Sequence, residues 1–562
     1  MSDIKRKLRL LWVGEASYLH TGYASYSKAV LQRLYDTGKY DIAELACYGS
    51  HDDGRRFDLP WVYYPNLPIS QEEGQLYGSN PINAFGAWRF EDVVLHFKPD
   101  VVASARDHWM DSFIEQSPLR PYFLWATMPT VDSCPQMEGW ISTYMTADTV
   151  FTYSQFGEDV LVNQSGGKIK VEGHAPMGID PNAMYPSPNK EEHKARFGLP
   201  AKSIVVGTVM RNQKRKLFPD LIDSFDEFCK LNPDLTNVYL YLHTSYPDVG
   251  WDIPRLIRES AVGHRIYLTY ICENCGHITA MPFSDSKTSC VSCGQHAAVL
   301  PNVKLGVPPD RLLDIYNLFD LYVQYSICEG FGGPQIEAAA CGVPVMAVDY
   351  SAMSNVVRNV GGTPIRVQRL FRESETHTYR AYPDNADFVD KLTKFCKLPP
   401  SLRAKKGRDA LLGVRKHYTW DKVASVWDRY LSKVVPKDIW NSPPNFFSPT
   451  LNVPANLDND TLIQWGFHNI LGKPELLNSF MALRMVRDLN YGIAVRGYGG
   501  PYYNEESATS MNAQHAPFSK EDAMNQLLAI REGINYWEQV RTGEVKVDTP
   551  IVVKYHKPDD RS

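Results

Sequence analysis

The sequence lacks any apolar run of about 18 residues, and no hydrophobic stretch follows its charged N-terminal segment. A membrane-spanning helix needs about 20 predominantly apolar residues, and a signal peptide needs an apolar core behind its positive start. We therefore expect neither a membrane span nor a signal peptide. A strong charge excess is also missing, since the formal net charge is −5 over 562 residues. Nothing in this total demands a polyanionic partner, although it would hide a local basic surface.

Cysteine is sparse, and its placement is uneven. Of the ten cysteines, four fall into a metal-binding spacing and the others are scattered. This usage favours a reducing compartment, so we expect a cytoplasmic protein. The 44% hydrophobic and 22% charged content is ordinary for a globular chain, and the length is too great for one core, which predicts two or three domains.

The most informative stretch is Glu-Gly-Phe-Gly-Gly-Pro-Gln-Ile-Glu at residues 329–337. Buried-strand patterns at 321–325 and 343–348 flank it, so it is predicted to be a glycine loop that feeds a short helix. Pro334 suits the first helical turn, and Gly342 suits the left-handed residue that ends a helix. The glycines allow a ligand to approach the backbone, and the N–H groups of a helix start favour an anion such as a diphosphate.

Two glutamates, Glu329 and Glu337, bracket this predicted anion site. A carboxylate repels phosphate but makes strong hydrogen bonds to neutral hydroxyls. A diphosphate with hydroxyl-rich groups on either side describes a nucleotide sugar. The alternative is a glycine-cornered strand–helix turn with solvated glutamates.

This stretch resembles the donor-site motif of retaining glycosyltransferases of family 4, which have the GT-B fold. The resemblance implies an α/β chain with two doubly wound Rossmann-like domains facing a cleft. It also implies that Glu329 contacts the donor sugar as the catalytic glutamate and that Glu337 binds the ribose. Gly333 departs from the family, which more often has an apolar residue there. The expected donor-binding residues of the loop are Gly330, Phe331, Gly332, Gly333 and Glu337.

A basic cluster, Met-Arg-Asn-Gln-Lys-Arg-Lys at residues 210–216, follows the strand predicted at 203–209. In family 4 an Arg and a Lys at this spacing hold the donor phosphates, and Arg211 and Lys216 match it. Two fixed cations would stabilise a nucleotide diphosphate leaving group, so we expect no catalytic metal. The alternative is a solvated loop that is basic by chance.

The N-terminal end of the chain carries a weaker signal of the same kind. A strand at 8–14 and a helix from 25 to 34 enclose a small-residue loop that contains Gly22. GT-B enzymes similarly bring an N-terminal glycine loop over the donor diphosphate, which makes Gly22 a donor-binding candidate. An ordinary strand–helix turn would produce the same pattern.

Asp107 and His108 are the candidate residues on the acceptor side. Further strands are predicted at 42–47, 101–104, 122–125 and 149–152, and the helical segments between them indicate a parallel sheet. Ligands bind outside the carboxyl ends of such strands, where Asp107 or His108 could orient or deprotonate an acceptor hydroxyl. Alternatively, Asp107 caps the next turn and His108 packs beside Trp109.

Two Cys-x-x-Cys knuckles, each followed by glycine, interrupt the second half of the chain. Four thiolates at this spacing predict a zinc ribbon with a closed, structural site. Two redox-active pairs are the alternative. His277 and His296 are close enough in sequence to be rival ligands, but four cysteines need no further ligand. The predicted zinc ligands are Cys272, Cys275, Cys290 and Cys293.

The tail after about residue 436 lies outside the resemblance. A proline-rich linker at 441–449 precedes two predicted helices, at 474–489 and from Ser519, with Asp522 at the capping-box position, to about 541. A glycine and aromatic loop at 496–503 could stack on a sugar or a base. The tail could also simply pack on the core or form a homo-oligomer.

The sequence therefore predicts an N-terminal Rossmann-like domain on the acceptor side (1–185), a nucleotide-sugar domain (186–435) with a zinc-ribbon insertion (270–300), and a mainly helical appendage (436–562). The predicted function is a retaining transfer of a sugar from a UDP-sugar to an acceptor hydroxyl of a glycan or lipid-linked sugar. A hydroxymethylated DNA base is an alternative acceptor. A nucleotide-sugar-binding scaffold without transfer, or a phosphorylase or epimerase on the same fold, is the alternative from another class.

Overall fold

In a computed structural model of the chain, two parallel sheets with helical crossovers form the framework. The structure describes residues 6–117, 119–302, 304–436, 456–478, 480–491, 493–496, 514–528 and 530–531. The chain divides into two compact units, one of residues 1–129, 142–151 and 427–562, the other of residues 130–141 and 152–426. The predicted linker at 441–449, residues 497–503 of the predicted loop and residues 532–541 of the last predicted helix lie outside the described residues.

The first sheet has seven strands in the order β3-β2-β1-β4-β5-β6-β7. Its strands are β1 (Leu8–Glu15), β2 (Tyr40–Cys47), β3 (Val62–Pro65), β4 (Val101–Ser104), β5 (Leu124–Thr127), β6 (Thr149–Thr152) and β7 (Val171–His174). The helices along this part of the chain are α1 (Gly22–Asp36), α2 (Gln71–Gly78), α3 (Ala87–Phe97), α4 (His108–Gln116), α5 (Glu138–Thr146) and α6 (Gln155–Gln164). β4 and β6 have the predicted bounds, whereas β5 begins two residues later than predicted.

The second sheet is built on five parallel pairings and carries an antiparallel ribbon at one edge. Its order is β12-β13-β10-β9-β8-β14-β15-β16, and β11 also pairs with β10. Its strands are β8 (Ile204–Val209), β9 (Val238–His243), β10 (Ile266–Cys272), β11 (Ile278–Pro282), β12 (Lys287–Thr288), β13 (Ala298–Val299), β14 (Leu321–Gln324), β15 (Val345–Val348) and β16 (Thr363–Ile365). Its helices are α7 (Lys190–Arg196), α8 (Phe218–Leu231), α9 (Ile253–Glu259), α10 (Pro309–Tyr316), α11 (Gly333–Ala340) and α12 (Ser351–Asn359).

A separate hairpin follows the second sheet, and the sequence patterns did not predict it. It consists of β17 (Val367–Arg372) and β18 (Tyr379–Pro383), which pair antiparallel. Three helices complete this part of the chain: α13 (Asn385–Cys396), α14 (Pro400–His417) and α15 (Trp420–Leu431).

Each unit has its own apolar core. In the second unit, α8 buries Phe218, Phe225 and Phe228 against strands β8 to β10. In the first unit, Trp125 and Phe90 belong to the cluster under β1, β2 and β4. Burial of this apolar area is the main favourable term in folding.

The described part of the tail is mainly helical. It contains α16 (Asn459–Gly466), α17 (Phe480–Tyr491), a helical stretch at 520–528, and the strand pair β19 (Ile493–Arg496) and β20 (Gln514–Pro517). Phe467, Met485 and Leu527 belong to its apolar cluster. Ser519 and Asp522 bond reciprocally, N to Oδ2 at 2.7 Å and N to Oγ at 3.2 Å, which confirms the predicted capping box. Within the described ranges, no helix has the length and apolar character needed to cross a membrane.

Candidate functional site

The predicted loop and helix lie between β14 and β15, as the sequence indicates. Gly332 has a φ of 88° and occupies the N-cap of α11, where no side chain caps the helix start. Gly330 faces Thr130 so closely that a Cβ on this glycine would lie 2.1 Å from the Thr130 Cγ2 atom. A larger residue at 330 would force Thr130 to move, and Gly332 adopts a left-handed conformation, so the two positions favour glycine for different reasons.

Glu329 lies in a buried, cationic environment. Its side chain accepts hydrogen bonds from Lys216 Nζ and, at 2.8 Å, from Gln324 Nε2. A nitrogen of Arg215 lies 4.0 Å from its other carboxylate oxygen. Burial raises the pKa of Glu329, but the charges of Lys216 and Arg215 outweigh it, and the net pKa lies below the ordinary value. Glu329 is therefore ionised at neutral pH although only 7% of it is exposed.

Glu337 lies one turn into α11 and has a different kind of neighbour. Its carboxylate accepts a hydrogen bond from the hydroxyl of Tyr316, which is fully buried at the end of α10. Burial raises the pKa of Glu337, and the Tyr316 hydrogen bond offsets only part of that effect. This glutamate thus retains its proton to a higher pH than an ordinary one.

Arg211 and Lys216, the predicted phosphate ligands, both lie in the loop after β8. The guanidinium of Arg211 makes two hydrogen bonds to Asp248, of 2.9 and 3.1 Å, while 56% of its side chain remains exposed. Burial raises the pKa of Asp248, but the hydrogen bonds from Arg211 and Ser245 outweigh this effect, and the net pKa falls to about 2. The ionised carboxylate of Asp248 therefore holds the guanidinium of Arg211 in place. The carboxylate of Glu329 holds the ammonium group of Lys216 in the same way.

Phe331 contributes packing to this site. Its ring is 5% exposed and lies 6.3 Å from the ring of Tyr153 and 5.6 Å from that of Tyr418, measured between centroids. The side chain of Phe331 is thus part of the core.

The acceptor-side candidates lie in the first unit, where β4 leads into α4. Asp107 occupies the N-cap of α4 but its side chain makes no capping hydrogen bond. His108 packs edge-on against Tyr144 with a centroid separation of 5.5 Å, whereas Trp109 packs against Phe85. Burial lowers the pKa of His108 to about 4. The imidazole is consequently neutral at pH 7 and able to accept a hydrogen bond, but it is a weak base.

Gly22 opens α1 in the same unit. Thr21 caps this helix by accepting a 3.1 Å hydrogen bond from the Ala24 amide. Among the described residues, no heavy atom lies within 4 Å of the position that a Cβ on Gly22 would take, apart from its chain neighbours and the backbone of its own helix. The helix start is therefore sterically open at this glycine.

The four cysteines of the two knuckles come together, as their spacing predicts. Their sulfur atoms all lie within 4.8 Å of one another, with Cys272 and Cys293 at 3.6 Å and Cys275 and Cys290 at 3.7 Å. Four thiolates around a tetrahedral ion at 2.3 Å would be separated by about 3.8 Å. Gly276 and Gly294 have φ values of 69° and 71° and turn the chain after each knuckle. These cysteines could hold a metal ion, and neither His277 nor His296 belongs to the cluster.

Several partners of the site were missed by the sequence reasoning. Asp248 follows β9, the neighbour of β8, so the rule that ligands collect at carboxyl ends of strands could have found it. Gln324 ends β14 and was interpreted only as part of a strand. Arg380 lies on the unexpected hairpin, and no local pattern marked it.

Comparisons with known proteins support the fold assignment. Sucrose-phosphate synthase from Thermosynechococcus elongatus has a TM-score of 0.53 at 16% identity, covering 76% of this chain and 99% of that chain. A structure of Anabaena HepE in complex with UDP and glucose has a TM-score of 0.52 at 14% identity, with 76% and 100% covered. The protein thus has a GT-B-like α/β fold with two Rossmann-like parallel sheets.

The sequence matches cover short stretches of the chain. Residues 301–367 match the family described as glycosyl transferases group 1. A 60-residue stretch is 47% identical to D-inositol 3-phosphate glycosyltransferase of Rhodococcus erythropolis, covering 11% of this chain and 13% of that relative. The corresponding enzyme of Nocardia farcinica is 43% identical over 61 residues, again 13% of its length. The matched stretch is therefore a small part of these relatives.

Proposed function

We propose that the protein is a retaining glycosyltransferase that moves a sugar from a UDP-sugar to an acceptor hydroxyl. The observation that carries this proposal is the pair of glutamates at an uncapped helix start, of which Glu329 is buried and Glu337 is half-buried. Glu329 is ionised by its cationic neighbours, and Glu337 lies one turn into α11. The group 1 glycosyltransferase match covers both residues, and a protein of the same fold binds UDP and glucose.

In this proposal the diphosphate lies over the start of α11. The amides of Gly332 and Gly333 and the positive end of the helix favour an anion there, and Gly330 keeps the approach open. Arg211 and Lys216 neutralise the phosphates and stabilise the nucleotide diphosphate as it leaves. Gly22, at the start of α1, is proposed as a further donor-binding residue.

The two glutamates then bind the neutral hydroxyl groups of the donor. Glu337 accepts hydrogen bonds from the ribose, and Glu329 orients the transferred sugar as the catalytic carboxylate. The departing phosphate takes the proton of the acceptor hydroxyl, so no dedicated base is needed. Asp107 and the neutral His108 orient that hydroxyl on the acceptor side.

The cysteine cluster is proposed to hold a structural zinc ion. Its donor set suits a soft tetrahedral ion, and four protein ligands would leave no open position for chemistry. The catalytic site has cations of its own, so the reaction is proposed to run without a metal. All ten cysteines are free of disulfides, which supports a reducing, cytoplasmic location.

A thermal-shift screen of metal-loaded protein against nucleoside diphosphates and their sugars tests this proposal. A ligand that binds the native state raises its melting temperature, and we expect the uridine series to do so. The bound donor is then offered to glycans, lipid-linked sugars and hydroxymethylated DNA, and the anomeric configuration of any product is read by NMR. Folded protein that none of the nucleotides stabilises, or a product with inverted configuration, would refute the proposal.

A further inference from the structure

The hairpin of β17 and β18 begins at residue 367, where the match to group 1 glycosyltransferases ends. Its second strand is bonded to two loops of the same unit. The amide of Tyr379 donates to the carbonyl of Cys134 at 3.0 Å, and the amide of Ala381 donates to the carbonyl of Ile327 at 3.0 Å. Ile327 is two residues before Glu329, so the hairpin is fastened to the backbone that carries the central glutamate.

Arg380 makes this attachment through its side chain as well. It is 8% exposed, and its Nη1 atom donates to Asp132 at 2.7 Å and to the sulfur of Cys328 at 3.0 Å. Its Nη2 atom donates to Glu373 at 2.9 Å on the first side of the hairpin. The thiol of Cys328 in turn donates to Asp132 at 3.3 Å. One planar guanidinium thus joins the hairpin, the loop of Asp132 and the residue immediately before Glu329.

Glu329 is held at its other points by different groups. Its amide donates to Ser351 Oγ at 3.1 Å, and the Ser351 hydroxyl donates to its carbonyl at 3.0 Å. Its carboxylate is held by Lys216 and Gln324. Lys216 is also a proposed phosphate ligand, so its bond to Glu329 must be shared when a donor enters. The contacts from the hairpin involve none of the proposed donor-binding groups, so a donor would not compete for them.

We propose that Arg380 is a positioning residue that fixes the Cys328–Glu329 backbone, so that Glu329 meets the donor sugar at the correct distance. The inference rests on the proposed function of Glu329 as the sugar-contacting carboxylate. The rigid, forked guanidinium is suited to this task because it bonds several partners in one plane, which a lysine does not. A shift of about 1 Å in a reacting geometry can cost about 100-fold in rate.

The test uses the full-length protein with UDP and UDP-glucose as probes in the variants Arg380→Met and Arg380→Lys. Affinity for UDP should stay within about twofold of the native value, since neither phosphate nor ribose contacts change. The preference for UDP-glucose over UDP should diminish, and the kcat for UDP release from UDP-glucose should fall about 10- to 100-fold. The lysine variant should recover part of the loss because it keeps the charge.

Two further variants keep the test decisive. Asp132→Ala breaks the same bridge from a partly exposed side chain, and so replaces the arginine variants if these fail to fold. Arg372→Ala is the matched control: this arginine lies on the same hairpin, is exposed, and stacks on Tyr379 at 4.9 Å. We expect native behaviour from it.

Native turnover in the Arg380 variants would overturn the inference alone. So would a loss of UDP affinity that parallels the loss of turnover, since this would indicate general structural damage. Native protein that binds neither UDP nor UDP-glucose would instead overturn the proposed donor and this inference with it.

Discussion

The loop at Glu329 and the helix turn at Glu337 are eight residues apart, yet they are opposite environments for a carboxylate. Glu329 has a lysine and an arginine beside it, and its pKa falls. Glu337 has a tyrosine hydroxyl beside it and is partly removed from solvent, and its pKa rises. One motif thus supplies one carboxylate whose pKa is lowered and one whose pKa is raised. The difference fits a sugar contact whose charge counts in the reaction and a ribose contact that only binds.

Removing the charge of Glu329 should have the largest effect on the reaction. In the variant Glu329→Gln we expect turnover to fall about 100- to 1000-fold, because the lost group acts on charge that develops in the transition state. Affinity for UDP should change by less than about threefold, a size typical of one weak neutral hydrogen bond. Steady-state kinetics and calorimetric titration with UDP measure the two quantities.

The control for this variant is Glu227→Gln, which alters an exposed glutamate on α8 of the same unit. It should behave as the native protein. Equal losses of turnover and UDP affinity in the Glu329 variant would contradict the proposed catalytic role of Glu329 and indicate a role in binding, like that proposed for Glu337.

The variant Glu337→Gln should show the reverse pattern with a smaller effect. A hydrogen bond to a charged group contributes about 1.5–3 kcal/mol, so UDP affinity should fall roughly 10- to 150-fold. Turnover at saturating donor should stay within a few-fold of the native value. Ribose 5-phosphate, which lacks the uracil base, can be titrated into native and variant protein. A difference in its affinity would show that Glu337 binds the ribose. A variant with unchanged UDP affinity would remove Glu337 from the donor site.

The pH dependence of binding should separate the glutamates further. The affinity advantage of native protein over Glu337→Gln requires an ionised Glu337. It should be constant at high pH and decline as the pH falls through the raised pKa, starting above the point at which an ordinary glutamate titrates. The turnover advantage over Glu329→Gln should stay flat through that interval, because the pKa of Glu329 is lowered. Two advantages that decline together would contradict the assigned environments.

Loss of the metal should have the smallest effect on donor binding. Chelation, or the variant Cys275→Ser, should lower the melting temperature, because metal binding to the native state is coupled to folding. UDP affinity of the remaining folded protein should change by less than about twofold, since none of the four cysteines is a proposed donor-binding residue. Cys134→Ser, at a cysteine outside the cluster, should leave metal content at one equivalent. A UDP affinity that vanishes with the metal would place the ion within the donor site.

Local patterns predicted what depends on neighbouring residues. Buried runs located β1, β4, β6 and β8, the glycine and proline positions located α11, and the knuckle spacing brought four sulfurs together. The capping box at Ser519 was predictable for the same reason, because both partners lie within one turn.

The partners that set charge could not be predicted in this way. Lys216 and Glu329 are 113 positions apart, and Arg380 reaches Cys328 across 52. Such pairings are chosen by the packing of whole elements, and a single sequence contains no local sign of them. Phe331 shows the same limit of sequence-based prediction. It lies within the predicted donor motif, but its ring is buried in the core. The hairpin was missed because its alternation is short and is broken by a register shift between Val367 and Arg369.

The antiparallel ribbon of β11, β12 and β13 also covers one edge of the second sheet. β10 is the last of the parallel strands on its side, and its outer edge is paired by β11 and β13. Without the ribbon this strand would present a row of unpaired amides and carbonyls, the usual starting point for aggregation between chains. Cys272 ends that same strand and is one of the four clustered cysteines. The ribbon therefore covers the outer edge of β10, and if the cysteines hold the proposed metal ion, its removal is expected to expose this edge and to cause self-association before it affects the proposed donor site.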